Sequence, residues 1–142
     1  MDMYEFNKPI LGEFRANRGV VGGQFAGRAL LILTTTGART GQLRENPLVF
    51  LADGDRYLIV ASYRGEPINP PWYYNLISNP EVGVEMGSEK FRAIATVLDE
   101  PERTKAYAMM VAEMPIFTEY QKMTTRIIPV IALTPLGTAI ST

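Results

Sequence analysis

The side chains best suited to chemistry lie between Thr34 and Leu76, in two arginine-bearing turns and an aromatic segment. The first turn reads Gly37-Ala38-Arg39-Thr40-Gly41 and is followed by Arg44. A guanidinium is a planar fork of donors that fits phosphate or carboxylate oxygens, and glycines let backbone N–H groups face an anion. The turn therefore predicts an anion site. The alternative is a glycine-rich hairpin loop with solvated arginines.

The second turn, Ala61-Ser62-Tyr63-Arg64-Gly65, carries a hydroxyl and a third arginine at the end of an apolar run. The Ser62 hydroxyl could hydrogen-bond a ring edge or an anion, or it could form a hydrogen bond within its own turn. The segment Pro70-Pro71-Trp72-Tyr73-Tyr74-Asn75-Leu76 follows, with three aromatic residues behind two prolines. Trp72 either stacks on a flat cofactor or fills the core, and Asn75 caps or pins the neighbouring turn.

The chain contains neither histidine nor cysteine. This excludes cysteine nucleophiles, Ser–His pairs and histidine-centred metal sites, and it leaves Ser62 a poor nucleophile. No pair of carboxylates stands out as an acid–base couple, and no pattern indicates nucleic-acid recognition or a metal site. If the protein is an enzyme, its hard chemistry belongs to a bound cofactor.

The length of 142 residues fits a single domain with one core. We expect an amphipathic helix and a glycine-rich lead-in over residues 1–26, followed by the main body over residues 27–142. The helix, with Phe6, Ile10 and Phe14 four residues apart, would lie on the domain or on a membrane. The sequence shows no membrane-spanning run and no signal peptide, so a cytoplasmic location is the default expectation.

Six strands and three later helices are predicted from alternation, turn residues and caps. The strands are Ala29–Thr35, Pro47–Ala52, Arg56–Ser62, Glu81–Met86, Phe91–Leu98 and Ile127–Thr134, with a hairpin turn at Asp53-Gly54. The helices are Pro71–Ser78, a helix capped by Asp99 that runs to about Glu113, and Ile116–Arg126. The prediction is a mainly β, α+β fold, a six-stranded barrel with short helices on its rim. Tyr107, Phe117 and Tyr120 would form an aromatic lid or ordinary packing.

Together these segments resemble the deazaflavin-dependent nitroreductase family of the split β-barrel flavin and deazaflavin oxidoreductase superfamily, an actinobacterial family. The matching stretches are LILTTTGARTGQLRENPLVF, DGDRYLIVAS, NPPWYYNLISNPEVGVE and RIIPVIALTP. Each motif is weak alone, but their order and spacing extend over about residues 27–135.

The resemblance implies a split barrel that binds coenzyme F420, a 5-deazaflavin with an anionic phosphate and oligoglutamate tail. It implies hydride transfer from reduced F420 to quinones, nitroimidazoles or other electron-poor molecules, with a proton from solvent or a hydroxyl. By position, Arg39 and Arg44 would hold the tail, helped by Thr40, Gly41, Pro47, Leu48 and Val49. Ser62, Tyr63, Arg64 and Gly65 would border the ring, and Trp72 would close one side. Ser62 and Tyr120 are the candidate catalytic residues.

Three departures from the family pattern bear on the substrate. The first turn has one basic residue, Arg39, where the family often has two, and Arg64 stands one place later than the usual lysine. Phe117 and Met123 replace two tyrosines that line the substrate side in nitroimidazole-activating relatives, which leaves Tyr120. We therefore predict faster reduction of quinones than of nitroimidazoles.

Two other functions remain open at this point. An FMN-binding split-barrel reductase would use the same arginines, because FMN also carries a phosphate on a ribityl chain. A lipid- or fatty-acid-binding barrel without turnover would have less need of Arg39, Arg44 and Arg64 together. The favoured reading implies a small acceptor such as a menaquinone, a monomer or a homodimer, and a cytoplasmic location. The resemblance includes membrane-associated quinone reductases, which implies peripheral contact of residues 1–16 with the inner face of the cell membrane.

Overall fold

The computed structural model describes residues 3–17, 19 and 30–136, with the backbone alone for residues 3–6. Four helices and seven strands occur in this part of the chain. The helices are α1 (Met3–Ala16), α2 (Pro71–Ser78), α3 (Glu102–Glu113) and α4 (Ile116–Lys122). The strands are β1 (Leu30–Thr36), β2 (Leu43–Val49), β3 (Leu51–Asp53), β4 (Arg56–Val60), β5 (Glu81–Met86), β6 (Glu89–Val97) and β7 (Val130–Pro135). Most of the glycine-rich lead-in predicted before residue 27 lies outside the described residues.

All seven strands belong to one antiparallel sheet in the order β2-β1-β5-β6-β7-β4-β3. Its two edge strands, β2 and β3, are separated along the chain by Phe50 alone. One chain segment therefore supplies both edges, and the sheet must curl into a half-barrel that is closed near Phe50. Beyond this junction the two sides move apart. One follows β2 toward Leu43, and the other follows β4, which extends past the short β3, toward Val60.

The prediction of six strands was wrong, although the mainly β, α+β class was right. The predicted strand Pro47–Ala52 is two strands, because residues before Phe50 pair with β1 and residues after it pair with β4. The apolar run Leu48–Leu51 continues through this point, so the local sequence gives no sign of the change of partner. The hairpin turn predicted at Asp53-Gly54 is present, and Gly54 takes a positive φ of 64°.

Strand β1 is apolar on both faces because each face is covered. Leu31 and Leu33 are fully buried in the main barrel core, where Trp72 and Leu76 of α2 also lie. Leu30 and Ile32 pack on the opposite side with Leu11 and Phe14 of α1. The N-terminal helix therefore lies on the domain, with Phe14 completely buried. A further apolar cluster packs α3 and α4 against β4 and β7, with Leu58, Met110, Phe117 and Val130 among its members.

Helix α2 has the predicted bounds, with Pro71 at its first position, but α3 and α4 differ from expectation. Helix α3 begins at Glu102, and Pro101 rather than Asp99 occupies its N-cap position. The Glu100 carboxylate accepts hydrogen bonds from the Thr104 backbone N–H and hydroxyl, and these bonds lower the pKa of Glu100. Helix α4 ends at Lys122 instead of Arg126, and the chain then runs irregularly to Val130.

In the described ranges no helix combines the length and apolar character needed to cross a membrane.

Candidate functional site

A cleft of about 1310 Å³ opens where the two sheet edges diverge. Strand β2 forms one wall, and the turn after β4, α2 and residues 114–120 form the other. The lining consists of Asn7, Gly37, Ala38, Arg39, Thr40, Arg44, Glu45, Asn46, Pro47, Leu48, Val49, Val60, Ser62, Tyr63, Arg64, Ile68, Asn69, Pro70, Pro71, Trp72, Tyr74, Asn75, Met114, Ile116, Phe117 and Tyr120. This volume exceeds the roughly 300–1,000 Å³ of most ligand pockets, so a long cofactor and a second molecule could share it.

The β1–β2 hairpin loop is held by its own hydrogen bonds. The Gly37 N–H donates to the Gln42 carbonyl at 2.7 Å, and the Gly41 N–H donates to the Gly37 carbonyl at 3.0 Å. The Thr40 hydroxyl accepts from the Gln42 N–H at 3.2 Å. Thr40 lines the cleft, whereas Gly41 does not; Gly41 turns the chain at a φ of 72°. Of the two predicted loop contacts, the structure brings only Thr40 to the cleft.

Arg39 and Arg44 both line the cleft and are exposed. Among the described residues neither one forms an ion pair with a carboxylate. Three arginines outside the cleft differ, because each pairs with a carboxylate: Arg15 bonds Glu45 and Glu85, Arg56 bonds Asp53 and Glu102, and Arg92 bonds Glu81. Arg39 and Arg44 thus keep their donors available for an anionic ligand.

Asn75 of α2 pins the first turn, which is distant in the chain, whereas the sequence predicted that it would cap or pin the turn adjacent to it. Its side-chain oxygen accepts from the Ala38 N–H at 3.1 Å, and its amide donates to the Thr35 hydroxyl at 3.1 Å. Thr35 is only 1% exposed, so this hydroxyl needs a protein partner. The two bonds fasten the loop that carries Arg39 to the same helix that carries Trp72.

The second turn has an unusual backbone. Tyr63 and Arg64 both take positive φ angles, 48° and 57°, a conformation that costs a residue with a side chain on the order of 1–3 kcal/mol. Ser62, Tyr63 and Arg64 line the cleft. Such a turn persists only when the surrounding structure holds it in place.

Gly65 was predicted to border the cofactor, but it is buried beneath α4 and does not line the cleft. A Cβ at this position would come within 2.9 Å of the Tyr120 carbonyl oxygen and 2.8 Å of the Met123 Cβ. The glycine therefore allows α4 to approach the turn. Its contribution to the site is the placement of α4.

Arg126 is a residue of the site region that sequence reasoning missed. Its guanidinium donates to the carbonyls of Ala61, Ser62 and Glu66 and to the Asn69 side chain, at 2.7–3.1 Å. Burial lowers the pKa of Arg126. No local signal marks this arginine, because its partners are about sixty residues away in the chain.

Of the three aromatic residues predicted to form either a lid or ordinary packing, two line the cleft. Phe117 and Tyr120 line the cleft, with ring centroids 5.7 Å apart at an interplanar angle of 74°. Tyr107 lies outside the lining, and its buried hydroxyl donates to the Phe117 carbonyl. Burial raises the pKa of Tyr107. Trp72 is 5% exposed, so it belongs to the barrel core while one side reaches the cleft.

Several further residues line the cleft that were not among the predicted site residues. They are Asn7, Glu45, Asn46, Ile68, Asn69, Tyr74, Met114 and Ile116. Ile68, Tyr74 and Ile116 are 60%, 49% and 43% exposed and give the cleft an apolar rim. On the opposite wall lies Glu45, whose carboxylate is bonded by Arg15 of α1. This contact raises the pKa of Arg15.

Comparison with known proteins agrees with this arrangement. A family model described as F420H(2)-dependent quinone reductase matches residues 11–135. A protein of Mycobacterium tuberculosis (strain H37Rv) named F420H(2)-dependent quinone reductase is 38% identical over 125 residues, which cover 85% of this chain and 84% of the relative.

Two solved structures are also similar. One, titled as an F420-H2 dependent reductase (FDR-A), is 36% identical with a TM-score of 0.69 and covers 75% of this chain and 94% of its own. The other, described as a domain-swapped dimer, is 32% identical with a TM-score of 0.70 and covers 93% of this chain and 97% of its own. By its sequence match and its fold, the chain belongs to the F420H(2)-dependent quinone reductase family.

Proposed function

We propose that the protein transfers a hydride from reduced F420 to a quinone bound in the same cleft. The observation that carries the proposal is the division of the cleft into two chemically different parts. One part presents Arg39 and Arg44 without carboxylate partners among the described residues, and the other presents Phe117, Tyr120 and an apolar rim. An anionic, flat cofactor and an apolar acceptor are the ligands that such a division fits.

The residues present fit the cofactor. Arg39 and Arg44 would hold the phosphate and carboxylates of its tail, with Thr40 and the β2 segment Pro47, Leu48 and Val49 alongside. Ser62, Tyr63 and Arg64 would border the ring, and the exposed side of Trp72 would close the cleft beneath it. When bound, the reduced cofactor supplies the hydride, which explains how the protein can act without histidine or cysteine.

The protein's own part in the reaction is binding, exclusion of water and delivery of a proton. A quinone that gains a hydride becomes a hydroquinone anion, and one proton completes its reduction. The Ser62 and Tyr120 hydroxyls are donors that line the cleft, so we assign them as the proton-holding groups. The buried ring of Phe117 beside Tyr120 keeps this part of the cleft apolar.

For the acceptor we propose a menaquinone-like molecule in preference to a nitroimidazole. Ile68, Tyr74 and Ile116 place exposed apolar surface at the mouth of the cleft, where an apolar tail could leave it. Steady-state turnover of a soluble menaquinone analogue should exceed that of a nitroimidazole. Faster turnover of the nitroimidazole would overturn the choice of acceptor but not the choice of cofactor.

The anion site is tested by charge reversal at Arg39. Titration of the protein with F420, followed by Trp72 emission and confirmed by equilibrium dialysis, gives the Kd. Loss of a charge-assisted hydrogen bond costs about 1.5–3 kcal/mol, so Arg39→Glu should weaken binding by about tenfold to a hundredfold or more. Arg92→Glu, outside the cleft, is the matched control and should bind as the wild type does. Unchanged affinity in Arg39→Glu would remove the anion-site assignment.

The same titration separates the other functions. Binding of FMN alone would indicate a flavin reductase that uses the same arginines for the ribityl phosphate. Absence of binding to both cofactors in equilibrium dialysis would favour a lipid- or fatty-acid-binding barrel.

We also propose a cytoplasmic protein, organised as a lead-in over residues 1–26 and a barrel over residues 27–142. Contact with the inner face of the membrane through residues 1–16 would have to use side chains other than Leu11 and Phe14, since these pack on β1. Co-sedimentation with lipid vesicles tests this contact. One similar structure is described as a domain-swapped dimer, so light scattering should decide between a monomer and a homodimer for this chain.

A further inference from the structure

We propose that Arg126 is a positioning residue that sets the shape of the turn beside the cofactor ring, an inference that rests on the proposed function. The four acceptors of its guanidinium all lie between residues 61 and 69. The distances are 3.1 Å to the Ala61 carbonyl, 2.8 Å to Ser62, 2.9 Å to Glu66 and 2.7 Å to the Asn69 Oδ1. Three of these acceptors are backbone oxygens, so Arg126 acts directly on the path of the chain.

The turn needs such a partner because its own hydrogen bonds are few. Within it, the Gly65 N–H donates to the Ser62 carbonyl and the Glu66 N–H donates to the Tyr63 carbonyl. Tyr63 and Arg64, the two residues with positive φ angles, lie in the segment that these bonds close. Arg126 bonds residues before and after this strained pair and thereby fixes the separation of the two ends.

A guanidinium suits this task better than an ammonium group. Its five N–H donors lie in one rigid plane, and three of its nitrogens reach separate acceptors here. A lysine would retain the positive charge but could not span the same set of oxygens. Since every acceptor is neutral and no carboxylate in the described ranges pairs with Arg126, the arrangement depends on donor geometry.

The backbone that carries Arg126 is itself anchored. The Gln121 amide donates to the Arg126 carbonyl at 2.7 Å, and the Gln121 oxygen accepts from the Ile128 N–H at 3.1 Å. Arg103 of α3 donates to the same Gln121 oxygen at 3.1 Å. Helices α3 and α4 thus hold the base of Arg126 while its side chain holds the turn. The position of Ser62 relative to Tyr120 of α4 follows from this connection.

The first test measures the turn in the cofactor-free protein by amide hydrogen exchange. In Arg126→Ala, the Gly65 and Glu66 amides should exchange at least about tenfold faster than in the wild type, the factor expected when a charge-assisted hydrogen bond is lost. The Ala95 amide, which is bonded to the Pro80 carbonyl far from the turn, reports any general loosening and should not change. Equal acceleration at Ala95 would mean that Arg126 is merely structural and would overturn the proposal.

The second test measures F420 affinity. Arg126→Ala and Arg126→Lys should both weaken binding by about tenfold or more, and guanidinium at non-denaturing concentration should restore binding to Arg126→Ala while methylammonium should not. Arg92→Ala is the matched control, because the Arg92 guanidinium bonds the Glu81 side chain without contacting the turn or Gln121.

These variants distinguish a failure of the proposed function from a failure of the positioning role of Arg126. Failure of the wild-type protein to bind F420 would refute the proposed function, while the exchange data would still report on the turn. Wild-type affinity in Arg126→Lys would overturn the positioning role, and so would equal losses in the Arg92 and Arg126 variants. If Arg126→Ala does not fold, Arg126→Lys alone decides, since it keeps the charge and changes only the donor geometry.

Discussion

Substitution of Gly65 by alanine should destabilise the protein far more than the same change at a glycine in open space. At Gly65 a new Cβ would lie 2.9 Å from the Tyr120 carbonyl oxygen and 2.8 Å from the Met123 Cβ. Neither atom is the end of a flexible side chain, so α4 would have to move. The backbone at Gly65, with a φ of 80°, also disfavours a residue with a Cβ.

The size of the effect follows from these contributions. A left-handed backbone costs a non-glycine residue about 1–2 kcal/mol, and overpacking costs about 1–3 kcal/mol. Reduced freedom of the unfolded chain offsets about 0.4–1 kcal/mol. The expected loss in the free energy of unfolding is about 3 kcal/mol for Gly65→Ala. Gly54→Ala, with a φ of 64° and no atom within 4 Å, should lose only about 1 kcal/mol.

Urea denaturation followed by Trp72 emission measures both variants, since this tryptophan is the only one and is buried in the core. The difference between the two midpoints, at an unchanged slope, isolates the clash with α4. Equal losses in Gly65→Ala and Gly54→Ala would refute the argument that Gly65 exists to let α4 approach. F420 affinity should also fall in Gly65→Ala, because a shifted α4 carries Tyr120 with it.

Two other predictions follow from single contacts. Asn75→Ala should lose about 1–3 kcal/mol in urea denaturation and also bind F420 more weakly, because it frees the loop that carries Arg39 and leaves the Thr35 hydroxyl without its partner. Asn79→Ala, which removes only a long 3.5 Å bond to the Thr36 carbonyl, is its control, and similar effects in both variants would contradict the pinning role. Burial raises the pKa of Tyr107, so its neutral form contributes stability that is complete below pH ~10 and is lost as pH rises through the raised pKa. Tyr107→Phe should therefore have a lower free energy of unfolding at neutral pH, but this free energy should fall less above pH ~10 than it does in the wild type. Tyr74→Phe, at an exposed site, is the control and should keep the wild-type dependence of stability on pH. An equal fall in Tyr107→Phe and the wild type would contradict the assignment.

Local signals predicted most of the elements of this fold. Helix α2 matches its prediction to the residue, because Pro71 begins it and Asn79-Pro80 disfavours its continuation. The start of α3 was placed too early, because a carboxylate at Glu100 serves the helix N-terminus where Asp99 was expected. The break at Phe50 was missed, since a change of strand partner is decided by distant chain segments.

Most of the candidate site residues that line the cleft belong to short motifs in the sequence. Arg39, Arg44, Ser62 and Trp72 all reach the cleft. Gly65 was misplaced because a glycine in a loop does not reveal whether a ligand or a helix approaches it. Arg126 was missed because its partners lie in the segment after β4, about sixty residues earlier in the chain, and an isolated arginine near a helix end usually indicates a solvated charge.

The lining of the cleft is distributed unevenly along the chain, and this has a consequence for how its specificity can change. Apart from Asn7, every lining residue comes from residues 37–75 or from the short stretch 114–120. The proposed cofactor contacts all fall in the first segment, whereas Met114, Ile116, Phe117 and Tyr120 form the second. Evolution or design could therefore exchange the stretch 114–120 and alter the choice of electron acceptor while the cofactor contacts stay intact. Within this fold, acceptor choice can therefore change in part without a change in cofactor binding.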